Sequence, residues 1–276
     1  MRQVPTRGRP GPYVLATGAA AADRLRLLHA VYGPGTRRLL RAARVRPGMR
    51  AVDVGCGVGT VTALLADLVG PRGSVVGIDL SREQLAEARR RQDRGFGNTT
   101  FIAAPAADTG LPRASFDVVY CRFLLLHLPD PAAALAEMRA LLKPGGMLVC
   151  EDGDLTSSGS EPPSALDAFA YLFGRLGPRR GVDYTLGRRL YHLVLAAGFP
   201  APGVMFNQPV VARGESKRLL ELSVAEAGGA LIDAGLTTAA ELDHTLADMR
   251  RLAADGSVLA VMPRMAQVWA QKPDGE

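Results

Sequence analysis

The chain has 276 residues, 47% of them hydrophobic and 22% charged, ordinary figures for a globular protein that buries one large core or two small ones. No apolar run reaches the roughly 18 residues of a membrane span, and the start, MRQVPTRGRPGPYVL, reads as a flexible arm rather than a signal peptide, so the expected location is the cytoplasm. The net charge of +6 invites a nucleic-acid partner, but only Lys143, Lys217 and Lys272 among the 33 basic residues are lysines and the arginines are spread thinly, which argues against one.

In chain order, residues 19–43 have helical periodicity, interrupted at Gly33-Pro34-Gly35. Short apolar strands are then expected at 50–54, 74–79, 99–103, 116–121 and 146–151, with helices at about 59–69, 81–94 and 131–142. Such alternation is the pattern of a parallel sheet covered on both faces. Ser81 is a good N-cap, with Gln84 as its capping-box partner. After Glu151 a loop at 153–165 precedes helices at about 165–177 and 186–197, a strand at 203–212, two helices near 215–234 and 238–254, and a last strand at 264–271. The cysteines Cys56, Cys121 and Cys150 form no CxxC pair and fit buried thiols in a reducing compartment.

The strongest motif is Val52-Asp53-Val54-Gly55-Cys56-Gly57-Val58-Gly59-Thr60, an apolar strand running through alternate glycines into a helix. Glycines there let backbone approach a ligand closely, and the helix N-terminus favours polar and negative groups. Residue 60 is Thr, so the GxGxxG dinucleotide fingerprint is incomplete and a nicotinamide oxidoreductase is disfavoured. The next strand ends in Gly77-Ile78-Asp79, where an acid can accept both hydroxyls of an adenosine ribose.

With these features the sequence resembles the class I S-adenosyl-L-methionine (SAM)-dependent methyltransferases, particularly those similar to ubiquinone/menaquinone-biosynthesis enzymes and small-molecule O-methyltransferases. The resemblance rests on DVGCGVG (53–59), GIDLSREQLAEARR (77–90), AADTGLP (106–112), FDVVYCRFLLLHLPDP (116–131) and LLKPGGMLV (141–149). It implies an α/β Rossmann-like sheet of seven strands in the order 3-2-1-4-5-7-6, the last antiparallel, with helical cap insertions. The implied divisions are an N-terminal arm and lid helices at 1–44, a SAM-binding core at 45–152, and at 153–276 the rest of the sheet with a cap (about 153–185 and 215–254). It further implies that Asp53, Gly55, Cys56 and Gly57 hold the methionine part of SAM, that Asp79 takes the ribose, and that Leu80 lies beneath the adenine with Gln84 nearby. Ala107 and Asp108 would meet the adenine amino group, Cys121 and Arg122 would line the sulfonium end, and Tyr13 and Arg24 match a segment that lids the cofactor in some relatives.

The acceptor side is less defined. His127 is the leading candidate base because imidazole titrates near neutrality, although HLPDP recurs among relatives whatever they methylate. Among Glu151, Asp152 and Asp154, crowded at the end of strand five, Asp152 is the second catalytic candidate. No metal is expected, since Cys121-Arg122 stands where metal-dependent relatives carry an acid. The expected reaction moves a methyl group to a small apolar or aromatic acceptor, most plausibly by O-methylation in specialised metabolism, leaving S-adenosyl-L-homocysteine (SAH). C- or N-methylation, and a fold repurposed for a non-methylating reaction, stay open. A nucleic-acid or protein substrate is disfavoured because Cys121-Arg122-Phe123-Leu124 replaces the Asn/Asp-Pro-Pro-aromatic tetrapeptide of base methylators. No membrane partner is expected, and a homodimer is left open.

Overall fold

The computed structural model describes residues 15, 21–92 and 97–274. The first helix, α1 (Ala22–Ala42), runs unbroken through Pro34, where the glycine and proline residues had suggested an interruption. Pro34 withholds one backbone donor, but Leu27, Tyr32, Leu39 and Leu40 along the same helix are fully enclosed. Tyr32 also donates from its hydroxyl to the Pro263 carbonyl at 2.8 Å. Burial on this scale outweighs local propensity.

Strands β1 (Arg50–Val54), β2 (Ser74–Asp79), β3 (Thr99–Ala103), β4 (Phe116–Arg122) and β5 (Leu142–Asp154) pair in parallel in the order β3-β2-β1-β4-β5. Helices α2 (Thr60–Val69), α3 (Arg82–Gln92) and α4 (Pro131–Leu141) cross between them. The Asp130 carboxylate caps α4 by accepting the Ala133 N–H at 3.1 Å, with Pro131 in the first turn. Beyond β5 come β6 (Gly159–Glu161), α5 (Ala168–Arg180), α6 (Leu190–Ala196), β7 (Gly203–Asn207) and β8 (Val210–Val211), then α7 (Leu219–Glu226), α8 (Gly228–Asp233), α9 (Ala239–Ala254), β9 (Leu259–Val261) and β10 (Arg264–Gln271).

The last strand, β10, inserts antiparallel between β5 and β7, giving the order β3-β2-β1-β4-β5-β10-β7. This is the expected Rossmann-like methyltransferase sheet. The expected strand at 203–212 divides instead: β7 stays in the main sheet, whereas β8 joins β6 and β9 in a small second sheet. The expected helix at 215–234 likewise divides into a short 3-10 turn, α7 and α8.

Alternation along the strands assigns each residue to a face. Val52, Val54, Val119, Cys121, Leu148 and Cys150 pack on the side of α4 and α5. Ala51, Val75, Val118, Tyr120 and Val149 pack on the side of α2 and the C-terminal half of α1. The carboxyl ends of the parallel strands therefore open between α1 on one side and the α5 and α7 insertions on the other.

Candidate functional site

A cavity of about 660 Å³ lies at those strand ends, within the range of about 300–1,000 Å³ usual for small-ligand sites. One wall is the glycine loop between β1 and α2. Gly55 and Cys56 both donate backbone N–H groups to the Ile78 carbonyl at 2.8 Å, which folds the loop against β2. Asp79, at the tip of β2, accepts the Gly57 N–H at 2.8 Å and the Ser81 N–H at 2.9 Å. Burial raises its carboxyl above the usual range. Asp53, also in the wall, accepts the Thr62 hydroxyl at 2.7 Å, and burial pushes it up to about 6.

Gly55 has φ +73°, and a Cβ there would meet the Leu124 side chain at 2.9 Å. Gly55→Ala is therefore expected to cost about 1–2 kcal/mol from the left-handed backbone alone, lowering the urea midpoint and weakening cofactor binding together.

Gln84 behaves differently from a capping-box residue. Ser81 does accept the Gln84 N–H through its hydroxyl at 3.2 Å, but Asp79 has taken the Ser81 N–H that the glutamine side chain would otherwise bind. The Gln84 Oε1 is left buried without a partner among the described residues, in a side chain that lines the cavity. Such an orphaned acceptor calls for a ligand donor. Leu80, 74% exposed, forms an open apolar ledge beside it.

Of the other expected cofactor residues, Gly55, Cys56, Gly57 and Arg122 line the cavity. Arg122 donates from Nη1 to the Thr36 hydroxyl of α1 at 3.1 Å. Cys121 does not line it: one residue earlier on the strand, it faces the opposite side of the sheet among Cys150 and the α4 core. Ala107 and Asp108 are exposed and lie just past Ala106, the last lining residue of that segment. Tyr13 falls outside the described residues.

The two catalytic candidates separate. His127 lines the cavity in a one-turn 3-10 helix (Leu125–His127), edge-on to Tyr184 with ring centres 5.5 Å apart. Burial, then the charge of Arg24, pushes its pKa down to about 3, so the imidazole is neutral. Asp152 is fully buried and outside the cavity wall. Its carboxylate accepts the N–H groups of Leu126 at 3.3 Å and Gly153 at 3.0 Å, so it anchors the loop that carries His127. Its neighbours are also occupied. Glu151 accepts the Tyr120 hydroxyl and the Gln267 amide at 2.5 Å each, and Asp154 pairs with Arg188 at 2.7 Å. Among the described residues no cluster of three or more His, Cys, Asp or Glu is arranged to hold a metal.

The insertions add an apolar stretch of wall made of Leu155, Phe169, Phe173, Val182, Leu219 and Leu220, with Arg180, Tyr184 and Ser223 among them. The sequence resemblance implies a cap here but does not name its lining. The one local signal was the aromatic pair Phe169 and Phe173, four residues apart on α5, whose rings lie 4.5 Å apart. Leu25, Leu28 and Tyr32 of α1 close the remaining side.

A methyltransferase-domain family model matches residues 46–170. Demethylmenaquinone methyltransferase of Staphylococcus aureus is 34% identical over 167 residues, covering 60% of this chain and 67% of that protein. The chain belongs to the class I SAM-dependent methyltransferases. An uncharacterized transposon-encoded protein of Streptomyces fradiae is 38% identical over 172 residues, 60% of this chain and 48% of that protein, so the chain matches about half the length of that relative. The YcgJ protein of Bacillus subtilis shares the fold, with a TM-score of 0.59, 20% identity, and coverage of 90% of this chain and 100% of that one. The enzyme uses SAM as cofactor, and the glycine loop, the Asp79 carboxylate and the orphaned Gln84 oxygen suit that molecule.

Proposed function

We propose that this methyltransferase transfers the SAM methyl group to a small apolar or aromatic acceptor, by O-methylation in specialised metabolism and in the reducing interior of the cell. The observation that carries the reading is that one cavity is walled by the glycine loop and Asp79 on one side and by Phe169, Phe173, Leu219 and Leu220 of the insertions on the other. In this assignment Asp53, Arg122 and the loop backbone hold the methionine part, Asp79 the ribose, and Leu80 and Gln84 the adenosine side. The bound cofactor supplies an already activated methyl group, so the protein's task is alignment and exclusion of water. His127 is assigned to that alignment: an imidazole whose pKa is near 3 is too weak a base to deprotonate an alcohol at neutral pH.

The test is to incubate the enzyme with SAM and a panel of apolar phenols and enols, following SAH and methylated product by mass spectrometry. Product and SAH should form in equal amounts. Tight SAM binding with no methylated product from oxygen, carbon or nitrogen acceptors would favour a non-methylating reaction. Phe173→Ala should raise the acceptor KM by about tenfold or more, since about 1.5–3 kcal/mol attaches to a buried aromatic contact, while SAH affinity measured by calorimetry stays unchanged.

A further inference from the structure

The charged groups in the cavity wall are divided between its two ends. The carboxylates among the described lining residues, Asp53 and Asp79, both belong to the glycine loop and the β2 tip. Arg122 is part of that end, since it is the cation whose charge Asp53 feels. Arg24 belongs to the other. Its Nε donates to Glu226 Oε2 of α7 at 2.6 Å, with the two side chains only 5% and 12% exposed. The same α7 helix contributes Leu219, Leu220 and Ser223 to the wall, and the charge of Arg24 is felt at His127. Arg180 adds a second guanidinium beside Val182 and Tyr184.

Glu226 satisfies only one edge of the Arg24 fork. The Nη2 group is buried and has no hydrogen-bond acceptor among the described residues. Buried donors are almost always paired, and a guanidinium is shaped to grip two oxygens at once. One oxygen is supplied by Glu226 to Nε, and among the described residues none supplies a second to Nη2. The donor is itself part of a charged group and stands among apolar residues, so an oxygen carrying negative charge would be bound there more strongly than a neutral one.

We propose that the acceptor is an apolar ring bearing an acidic oxygen, an enol or a phenol, bound as its anion with that oxygen against Nη2 of Arg24. This rests on the reading of the cavity as a joint site for cofactor and small acceptor. The acceptor loses its proton to water before it enters. In the transfer, an oxygen lone pair forms the new bond to the methyl carbon while the carbon–sulfur bond breaks and its electrons stay on sulfur. Sulfonium cation and oxyanion become a neutral thioether and a neutral methyl ether. No proton has to be taken up by the protein, which fits a site whose imidazole is held neutral and whose adjacent carboxylate, Glu226, is paired with Arg24.

The test compares 4-hydroxycoumarin, whose enol is ionised at neutral pH, with 4-methoxycoumarin, the same ring without the acidic proton, each titrated calorimetrically into enzyme saturated with SAH. The anion should bind about tenfold or more tightly than the ether, as a charge-assisted hydrogen bond requires. Arg24→Gln should bring that ratio close to one with SAH affinity unchanged, and Arg24→Lys should keep part of it. The lysine variant carries the comparison if Arg24→Gln fails to fold. Equal binding of the two probes, or a preference that survives in Arg24→Gln, overturns the proposal. So does a loss of SAH affinity in the folded variant, which would put Arg24 on the cofactor. If the wild-type enzyme binds SAH but neither probe, the small-acceptor reading falls with it.

Discussion

Replacing Asp79 with alanine is expected to weaken SAH binding by roughly two orders of magnitude, since hydrogen bonds to a charged group contribute about 1.5–3 kcal/mol each. The effect has two sources. In the assigned role the carboxylate takes the ribose hydroxyls, and it also accepts the N–H groups of Gly57 and Ser81. Removing it therefore takes away a ligand contact and loosens the loop that faces the methionine part. Asp79→Asn keeps one acceptor oxygen and should fall between the two. Calorimetric titration with SAH reads the result, and unchanged affinity in Asp79→Ala would sink the assignment of the β2 tip to the cofactor.

The second large effect concerns Asp152, whose carboxylate holds the loop that carries His127. Burial raises its carboxyl to about 7 in the folded protein, against an unfolded value near 4. Between those values the folded state retains a proton that the unfolded chain has released. The contribution of Asp152 to stability is therefore whole below pH of about 4 and declines, by a few kcal/mol, as the pH rises to about 7. His29 and His127, whose pKa values burial pushes down to about 4 and 3, work in the opposite direction over their own range. The comparison with Asp152→Asn isolates the carboxyl: the variant should gain on the wild type steadily from pH 4.5 to 7.5 in urea unfolding. A difference between the two proteins that does not vary with pH would refute this account. Asp152→Ala, which leaves the Leu126 N–H without its acceptor, should instead lose about 2–4 kcal/mol at every pH and lower kcat through displacement of His127.

Much of the core was legible because its signals are local. Strands β1, β2, β3 and β10 begin and end where the apolar runs do, and the glycine loop and Asp79 stand together as their spacing implied. The order of the sheet came from resemblance, since periodicity cannot say which strands are neighbours. Local signals failed where distant packing decides. Gly33-Pro34-Gly35 reads as a break, yet α1 continues, because Tyr32, Leu39 and Leu40 are buried against segments far along the chain. Cys121 and Arg122 were expected at the same place, and strand alternation puts them on opposite faces. The carboxylates at the end of β5 looked available from the sequence. Only the fold reveals that Tyr120, Gln267, Leu126 and Arg188 have already engaged them. Gln84 erred the other way, since a reciprocal cap was expected and Asp79 had displaced it.

The hydrogen bond from Tyr32 to the Pro263 carbonyl joins residues 231 positions apart, and β10, which starts one residue later, slots between two strands made before it. As the chain leaves the ribosome, β1 to β5 can pair before β10 exists, because all their mutual neighbours lie between Arg50 and Asp154. The gap between β5 and β7 has to wait for β10, and so does the closing of α1 over the cavity. Nascent chains from which Pro263 and β10 have not yet emerged would therefore carry a glycine loop with no finished roof. The ability to retain cofactor should arrive in one step, with β10.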